Sequence, residues 1–426
     1  MAIRLPQLVA AAKTDLHVAH KTWLSLMVEL LYQLNLRHLR ALPIVAAAGG
    51  ISAAATRIGI SQPALAQGLA QLERRLGLRL FDRHPGGMVP TPAGSALVQR
   101  IPAAEQRLAK ALARSGRRGF NPVNHLSMAQ MRAFITLADA GSYVAAAAIL
   151  GLSQPALHRA VGELERLAGG AMAERRGRGV ALTAAGRALA RQFRLAAAEL
   201  AAGLESLLPA DASVRLVVGA MPLSRARLLP AALARVLPAF PGIKVDVVEG
   251  AWTDLVEPLR DGAIDLMIGA LREPSLPDLV QWPLIEDRLA VIARADHPLA
   301  GRASTAPDLA QYPWIIGRDG SPLAAQWHAL FATAPPPAPV ACGSVMTIRE
   351  LLSASDCLTL LSPDQVRVEL DAGLLVALET DLPLIPRRIG VVLREGWRPS
   401  PVQRRFLAEL AEVAGPASAA SLPFSE

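Results

Sequence analysis

Apolar positions along this chain fall into two regimes. Up to about residue 208 they recur every three to four residues, as on one face of a helix; beyond it, short apolar runs alternate with helical segments. Trp23, Leu24, Met27, Leu30, Leu31 and Leu34 share a face of an amphipathic helix predicted over 22–34. Further on, Met131, Phe134, Ile135 and Leu137 mark a helix that Gly141-Ser142 breaks. A short helix of small residues follows over Val144–Leu150, and Gly151 permits a tight turn. Ser153 then caps a third helix with Pro155 in its first turn, where the missing N–H costs nothing. Ala156, Leu157, Val161 and Leu164 form its apolar stripe, and Gln154, His158 and Arg159 its polar face.

The same pattern occurs earlier. Residues 36–94 aligned with 128–186, at an offset of 92 and without a gap, agree at 23 of 59 positions. The shared core is Gly59-x-Ser61-Gln62-Pro63-Ala64-Leu65 against Gly151-x-Ser153-Gln154-Pro155-Ala156-Leu157. Leu72-Glu73-Arg74 matches Leu164-Glu165-Arg166, Arg83 matches Arg175, and Thr91-x-Ala93-Gly94 matches Thr183-x-Ala185-Gly186. Ala-rich composition does not produce such an ungapped run, so the segment is duplicated. Duplication extends into a long helix: Leu97, Ile101, Leu108 and Leu112 recur as Leu189, Phe193, Leu200 and Leu204, with Ala104 and Ala196 between them. Residues 115–127 have the composition of a linker.

Charge gives this half of the chain a direction. Residues 1–208 hold 25 Lys and Arg against 11 Asp and Glu; residues 209–426 hold 19 against 25. A basic half joined to an acidic half fits a polyanion binder fused to another domain. A small-residue helix followed by a Ser-capped, polar-faced helix is the layout that places side chains in the major groove of double-stranded DNA. Candidate DNA contacts are Ser61, Gln62, Pro63, Gln67 and Arg83 in copy one. In copy two they are Ser153, Gln154, Pro155, His158, Arg159, Arg175, Arg176 and Arg178, the last three in a basic, Gly-rich turn suited to a wing. Any single Gln or Arg here fits a solvated helix face equally well; the ordered set, present twice, does not.

From Val214 strands and helices alternate, predicting a mostly parallel α/β sheet. Strands are expected over 214–218, 243–248 and 265–269, with helices carrying Leu228–Leu237 and Leu255 with Leu259.

Ala54-Ala55, Ser61–Leu65, the run Leu72–Arg83 and Leu182-Thr183-Ala184-Ala185-Gly186 closely resemble the N-terminal signature of the LysR family of bacterial transcription regulators. The order Leu228-Leu229-Pro230, Phe240-Pro241, Asp265-Leu266-Met267-Ile268-Gly269 and Asp296-His297-Pro298-Leu299-Ala300 resembles its effector domain. Both copies depart from the signature: copy one has Gly50 for the usual Ser and Pro90 for Leu, and copy two has Met172-Ala173 for Leu-Phe, which predicts a looser wing. The resemblance implies two winged helix-turn-helix domains, α in class, ahead of a two-lobed α/β domain of the type 2 periplasmic-binding-protein kind. Expected boundaries are an extension over 1–34, winged units with their helices over 35–118 and 124–208, an effector domain over 209–415 and a tail over 416–426. Lobe one is placed at 212–294 with 382–413 and lobe two at 295–381.

In such folds ligands sit at strand C-terminal ends and helix N-termini. Expected effector contacts are Met221, Pro222, Ser224, Trp252 and Arg272 in lobe one and Arg318, Ser321, Met346 and Thr347 in lobe two. Ser224 and Thr347 are expected to open helices, and the two arginines to hold an anion, such as an aromatic or sugar acid; a surface salt bridge is the alternative for each arginine. The resemblance further implies a bacterial cytoplasmic protein at the nucleoid, a homo-oligomer that contacts RNA polymerase, with no membrane association, no cofactor and no catalysis. In the family the long helix pairs antiparallel between subunits. Here the short linker allows the helix of 95–114 to pair with that of 187–208 within one chain, the rival being pairing between chains.

An enzyme and an exported solute receptor are the competing classes. The first lacks a metal-spaced Cys/His cluster, a phosphate-binding Gly loop or a nucleophile elbow, and the basic half argues against the second. Cys342 and Cys357 are expected to be ordinary buried thiols rather than a redox pair, and His297 to be structural.

Overall fold

The computed structural model describes residues 29–113, 120–177, 179–205, 215–332, 334–384 and 386–415. It divides into two compact units, Met1–Val214 and Arg215–Glu426.

The first unit contains both copies of the repeat. Copy one comprises α1 (Leu36–Ala48), α2 (Ile51–Ile58), α3 (Gln62–Leu76), the hairpin β1 (Phe81–His84) and β2 (Gly87–Pro90), and α4 (Pro92–Leu112). After a 3-10 turn at Pro122–His125, copy two repeats it as α5 (Met128–Ala140), α6 (Tyr143–Leu150), α7 (Gln154–Ala168), β3 (Ala173–Arg176), β4 (Gly179–Leu182) and α8 (Ala184–Glu205). The repeated residues recur because each has the same job. Glu73 accepts from the amides of Leu80 and Phe81, and Glu165 from those of Met172 and Ala173, so each carboxylate fixes the start of a wing. Gly94 and Gly186 each lie where a Cβ would stand 1.9 Å from a carbonyl oxygen, that of Leu80 or Met172. Only glycine lets the long helix begin that close to the wing. The two hairpins have the same four-pair antiparallel register, so Ala173 in place of Phe81 shortens a side chain without altering the copy-two ladder.

Stripes from both copies form one core, in which Leu97, Ile101, Leu108 and Leu112 of α4 and Leu189, Phe193, Leu200 and Leu204 of α8 are buried. A Cβ on Gly203 would stand 3.1 Å from Leu97, and Glu199 pairs with Arg100 and Arg107, so α4 and α8 run antiparallel within the chain. Leu30, Leu31 and Leu34 belong to the same core, and Glu29 holds Arg132 through two bonds of 2.9 and 2.5 Å. The extension expected over 1–34 therefore ends earlier: its last residues cover apolar surface in the first unit. Trp23, Leu24 and Met27, the tail over 416–426 and part of the 115–127 linker lie outside the described residues.

The second unit is built on two five-stranded sheets, ordered β6-β5-β7-β14-β8 and β11-β10-β12-β9-β13. The first holds β5 (Arg215–Ala220), β6 (Lys244–Glu249), β7 (Leu266–Ala270), β8 (Leu279–Asp287) and β14 (Arg387–Arg394), flanked by α9 (Leu228–Val236), α10 (Trp252–Asp261) and α15 (Pro401–Ala414). The second holds β9 (Ala290–Arg294), β10 (Trp314–Ile316), β11 (Val340–Ala341), β12 (Leu358–Leu361) and β13 (Leu375–Leu378), with helices α11 (Ala306–Leu309), α12 (Pro322–Leu330), α13 (Val345–Ser353) and α14 (Arg367–Asp371). The lobe boundary expected at 294/295 is corrected: β9 pairs antiparallel with β12 and β13, so lobe two begins before Ala290. Strand β9 is apolar up to its last residue, Arg294, and a two-sided apolar strand gives no clue in sequence to which sheet it joins. The chain returns to lobe one after β13, between 379 and 386.

Candidate nucleic-acid interface and effector site

Ser61 and Ser153 cap α3 and α7, their hydroxyls accepting from the amides of Ala64 at 3.4 Å and Ala156 at 3.3 Å. Pro63 and Pro155 occupy the first turns, which fixes the helix start without losing a bond. The Ser, Gln and Pro of each signature are exposed, as are Gln67 in copy one and His158 and Arg159 in copy two. Arg83 on β1 and Arg175 and Arg176 on β3 are exposed along the wings. Arg178 lies outside the described residues. Both recognition faces are thus open, each at the N-terminal end of its helix, where spare N–H groups favour a phosphate.

One contact distinguishes the faces. Tyr143, the first residue of α6, stacks on the imidazole of His158 with ring centroids 3.7 Å apart. Burial pushes the Tyr143 phenol above its usual range, and the Glu165 carboxylate adds to this. The counterparts in copy one, Ile51 and Ala66, cannot form such a pair. Tyr143 was not among the residues expected at the interface. The signal for it was the joint appearance of an aromatic ring and an imidazole at two positions that are aliphatic in the other copy.

In lobe one, β5, β6 and β7 are parallel, so their C-terminal ends lie along one edge. Met221 and Pro222 leave the end of β5, Trp252 opens α10 after β6, and Arg272 follows β7. Their proximity is direct for one pair, the Arg272 guanidinium lying 5.6 Å from the centre of the Trp252 ring. The Arg272 backbone is held on both sides by Gln281, through bonds of 2.8 and 2.6 Å. Met221 is buried against Gly269, where any Cβ would collide with its side chain.

Two expectations are corrected. Ser224 does not open a helix: it lies inside the 3-10 turn Pro222–Arg225, fully buried, and its hydroxyl donates to the Met221 carbonyl at 2.8 Å. A donor already satisfied inside the fold has nothing to offer a ligand. Thr347 lies inside α13, whose cap is Ser344, accepting from the Thr347 amide at 3.4 Å. Ser321 does cap a helix, accepting from Ala324 at 3.2 Å at the start of α12. In lobe two β10 and β11 are parallel. Arg318 and Ser321 therefore follow one strand end and Met346 and Thr347 the next, with Arg318, Met346 and Thr347 exposed.

The lobes are tied together by a cluster the sequence did not reveal. Asp287 at the end of β8 accepts from the Ser362 hydroxyl at 2.5 Å and from Arg387 at 2.6 Å, with Asp287 and Ser362 both buried. Arg227 reaches Asp364 at 3.4 Å beside it. His297 is structural: the Leu299 amide donates to Nδ1 at 3.1 Å, and Nε2 faces the Asp356 carbonyl. Burial lowers its pKa below the ordinary histidine value. Asp356 pairs with Arg294 at 2.8 Å. Cys342 and Cys357 are free and half-buried. Among the described residues no cluster could hold a metal ion, and no helix is long and apolar enough to cross a membrane.

Two winged helix-turn-helix modules and a two-lobed α/β domain with its polar groups at strand ends define a DNA-binding transcription regulator with an effector-binding domain. Comparison with known proteins agrees. The model of the LysR substrate binding domain matches residues 210–415, and that of the bacterial regulatory helix-turn-helix protein, lysR family, matches twice, at 36–95 and 128–187. The HTH-type transcriptional regulator GalR of Pseudomonas putida is 32% identical over 385 residues, covering 89% of this chain and 97% of that protein. Such a match is too long to leave out either copy of the repeat. The SDS degradation transcriptional activation protein of a Pseudomonas species is 35% identical over 280 residues, covering 64% of this chain and 91% of its own length. A full-length OxyR variant from Pseudomonas aeruginosa shares the fold, with a TM-score of 0.52 at 24% identity over 68% of this chain and 95% of that one. This chain belongs to the LysR family of transcription regulators.

Proposed function

We propose that a single chain binds an operator of two unequal half-sites, with copy two reading guanine and copy one reading adenine at the equivalent position. The observation carrying this is the pair Gln67 and Arg159, the same position of the repeat, exposed on α3 and α7. Gln matches the adenine edge and Arg the guanine edge, each through two hydrogen bonds. Ser61, Gln62 and Pro63, with Ser153, Gln154 and Pro155, seat the helix ends on the phosphates; Arg83, Arg175 and Arg176 extend the contact along the backbone. His158, held flat by Tyr143, adds a second copy-two contact. The test is binding to the region upstream of the protein's own operon at rising salt. Arg159→Ala is expected to weaken one half-site about 10- to 100-fold and Gln67→Ala the other. Equal loss at both half-sites from either variant would overturn the assignment.

The effector is a planar organic anion. Arg272 over the Trp252 ring offers a cation beside an aromatic face, which favours an aromatic carboxylate over a sugar acid. Met221 and Pro222 lie at the same edge, and Arg318, Ser321, Met346 and Thr347 follow strand ends in lobe two and supply its share of the contacts. Ligand-dependent movement of the lobes about the Asp287–Ser362 contact would alter contact with RNA polymerase. The protein acts as a regulator in the bacterial cytoplasm, at the nucleoid and as a homo-oligomer, and not as a catalyst. A thermal-shift screen of the full chain against aromatic and sugar carboxylates tests the ligand class; a shift that persists in Arg272→Ala places the anion elsewhere.

A further inference from the structure

The offset of 92 pairs every residue of α4 with a counterpart in α8, and at one buried position the counterparts have opposite charge. That position is Arg107 in copy one and Glu199 in copy two. Because the helices are antiparallel and related by the repeat, counterparts near the crossing point face each other. Arg107 Nη2 lies 3.7 Å from Glu199 Oε1, and Arg100 Nη1 lies 3.2 Å from Glu199 Oε2. The Glu199 side chain is only 7% exposed and the two arginines 16% and 17%. The counterpart of Arg100 is the neutral Gln192.

We propose that Arg100, Arg107 and Glu199 are a pairing code that joins the long helices of unlike copies within one chain and rejects pairing of like copies between chains. The apolar stripes cannot make this choice, since Leu97, Ile101, Leu108 and Leu112 recur as Leu189, Phe193, Leu200 and Leu204 and would pack in any combination. Charge can. Pairing α4 with a second α4 would bury four arginines with no carboxylate at this layer. Pairing α8 with a second α8 would bury two glutamates against each other. Only the unlike pair places a carboxylate between guanidinium groups, and burying an unpaired charge is far costlier than burying a matched one. Gly203 adds a steric preference: its counterpart is Ala111, and a Cβ at 203 would press on Leu97 at 3.1 Å.

The test needs no DNA, so its outcome is independent of the half-site assignment. An ideal Cβ at Gly203 would lie 3.5 Å from the Arg100 Cβ, within disulfide range, and replacing Arg100 leaves the Arg107–Glu199 pair in place. In the full chain, with Cys342→Ser and Cys357→Ser to remove the native thiols, Arg100→Cys with Gly203→Cys is expected to cross-link on mild oxidation at the mass of one chain. A covalent dimer from the pair, a dimer from either cysteine alone, or no cross-link overturns the proposal. For the charges themselves, Glu199→Arg is expected to lower the thermal midpoint by roughly 5–10 °C. Adding Arg107→Glu should restore part of that loss. A double variant no more stable than the sum of its singles would show that charge does not select the pairing.

Discussion

The two copies of the winged module share the contacts that fix their wings, exchange one hydrophobe for another in the core, and change chemical character on the exposed recognition face. Inside, Glu73 and Glu165 anchor the wings through the same two amides, and the glycines at 94 and 186 admit the same carbonyl approach. Outside, copy two carries His158 and Arg159 where copy one carries Ala66 and Gln67. At the second helix Ser142 caps α6, accepting from Ala145, while Gly50 leaves α2 without a side-chain cap. Interior changes in one copy are compensated in place: Gly68 of α3 lies against the His38 ring, whereas Ala160 occupies the equivalent position where copy two has Gln130. Packing holds the interior to apolar residues, as in the exchanges of Leu42 for Phe134, Val45 for Leu137 and Ile101 for Phe193, and no such constraint acts on the exposed face. Divergence in the core keeps apolar character, whereas Ala66 against His158 and Gln67 against Arg159 change the chemistry offered by the recognition helix.

That contrast can be broken most severely at the two glycines. Gly94→Ala and Gly186→Ala each force a Cβ against a backbone oxygen and should each destabilise the first unit by about 3 kcal/mol or more. Denaturant unfolding of the full chain measures this; a large cost in one copy only would show that the close approach of long helix to wing is not equally needed in both. A smaller effect is expected at the caps. Ser142→Ala should cost about 1 kcal/mol, while Gly50→Ser should gain a few tenths, which amide exchange in α2 and α6 resolves. If both substitutions have the same effect, the missing cap in copy one is compensated elsewhere.

The smallest effect is a dependence on pH confined to copy one. Burial, with the Arg37 charge adding to it, lowers the pKa of His38 below its ordinary value. The unfolded chain then binds this proton more readily than the folded one, so stability is full above the ordinary histidine value and declines as pH falls through it. Copy two has Gln130 here and should show no such dependence. Exchange protection factors in α1 and α3, taken relative to intrinsic rates at each pH, should fall between about pH 7.5 and 5.5 and lose that fall in His38→Gln. A fall of equal size in α5 and α7 would assign the effect to something other than His38.

Much of the first unit was legible because its signals are local. A Ser cap, a Pro in the first turn and a Gly after the last helical residue act within one turn, and each falls in the structure where the pattern placed it. The effector site was legible only in outline. Met221, Trp252 and Arg272 were findable because they follow apolar strands, but the order of residues could not show that the Ser224 hydroxyl is occupied by the Met221 carbonyl. Nor could it show that Ser344, not Thr347, begins α13, since Ser, Val, Met and Thr there all suit a helix start.

By itself, the sequence determined that the module is duplicated, where its recognition helix begins, and which faces are apolar, because periodicity and capping depend on neighbours within a few residues. The long helices begin at Pro92 and Ala184, three residues before the expected 95 and 187. Tertiary structure alone decided that both modules share one core, that β9 belongs to lobe two, and that Arg100 and Arg107 meet Glu199. Each of those depends on groups brought together from about 70 to 100 residues apart, at distances where Coulomb attraction and close packing act but sequence spacing carries no record of them.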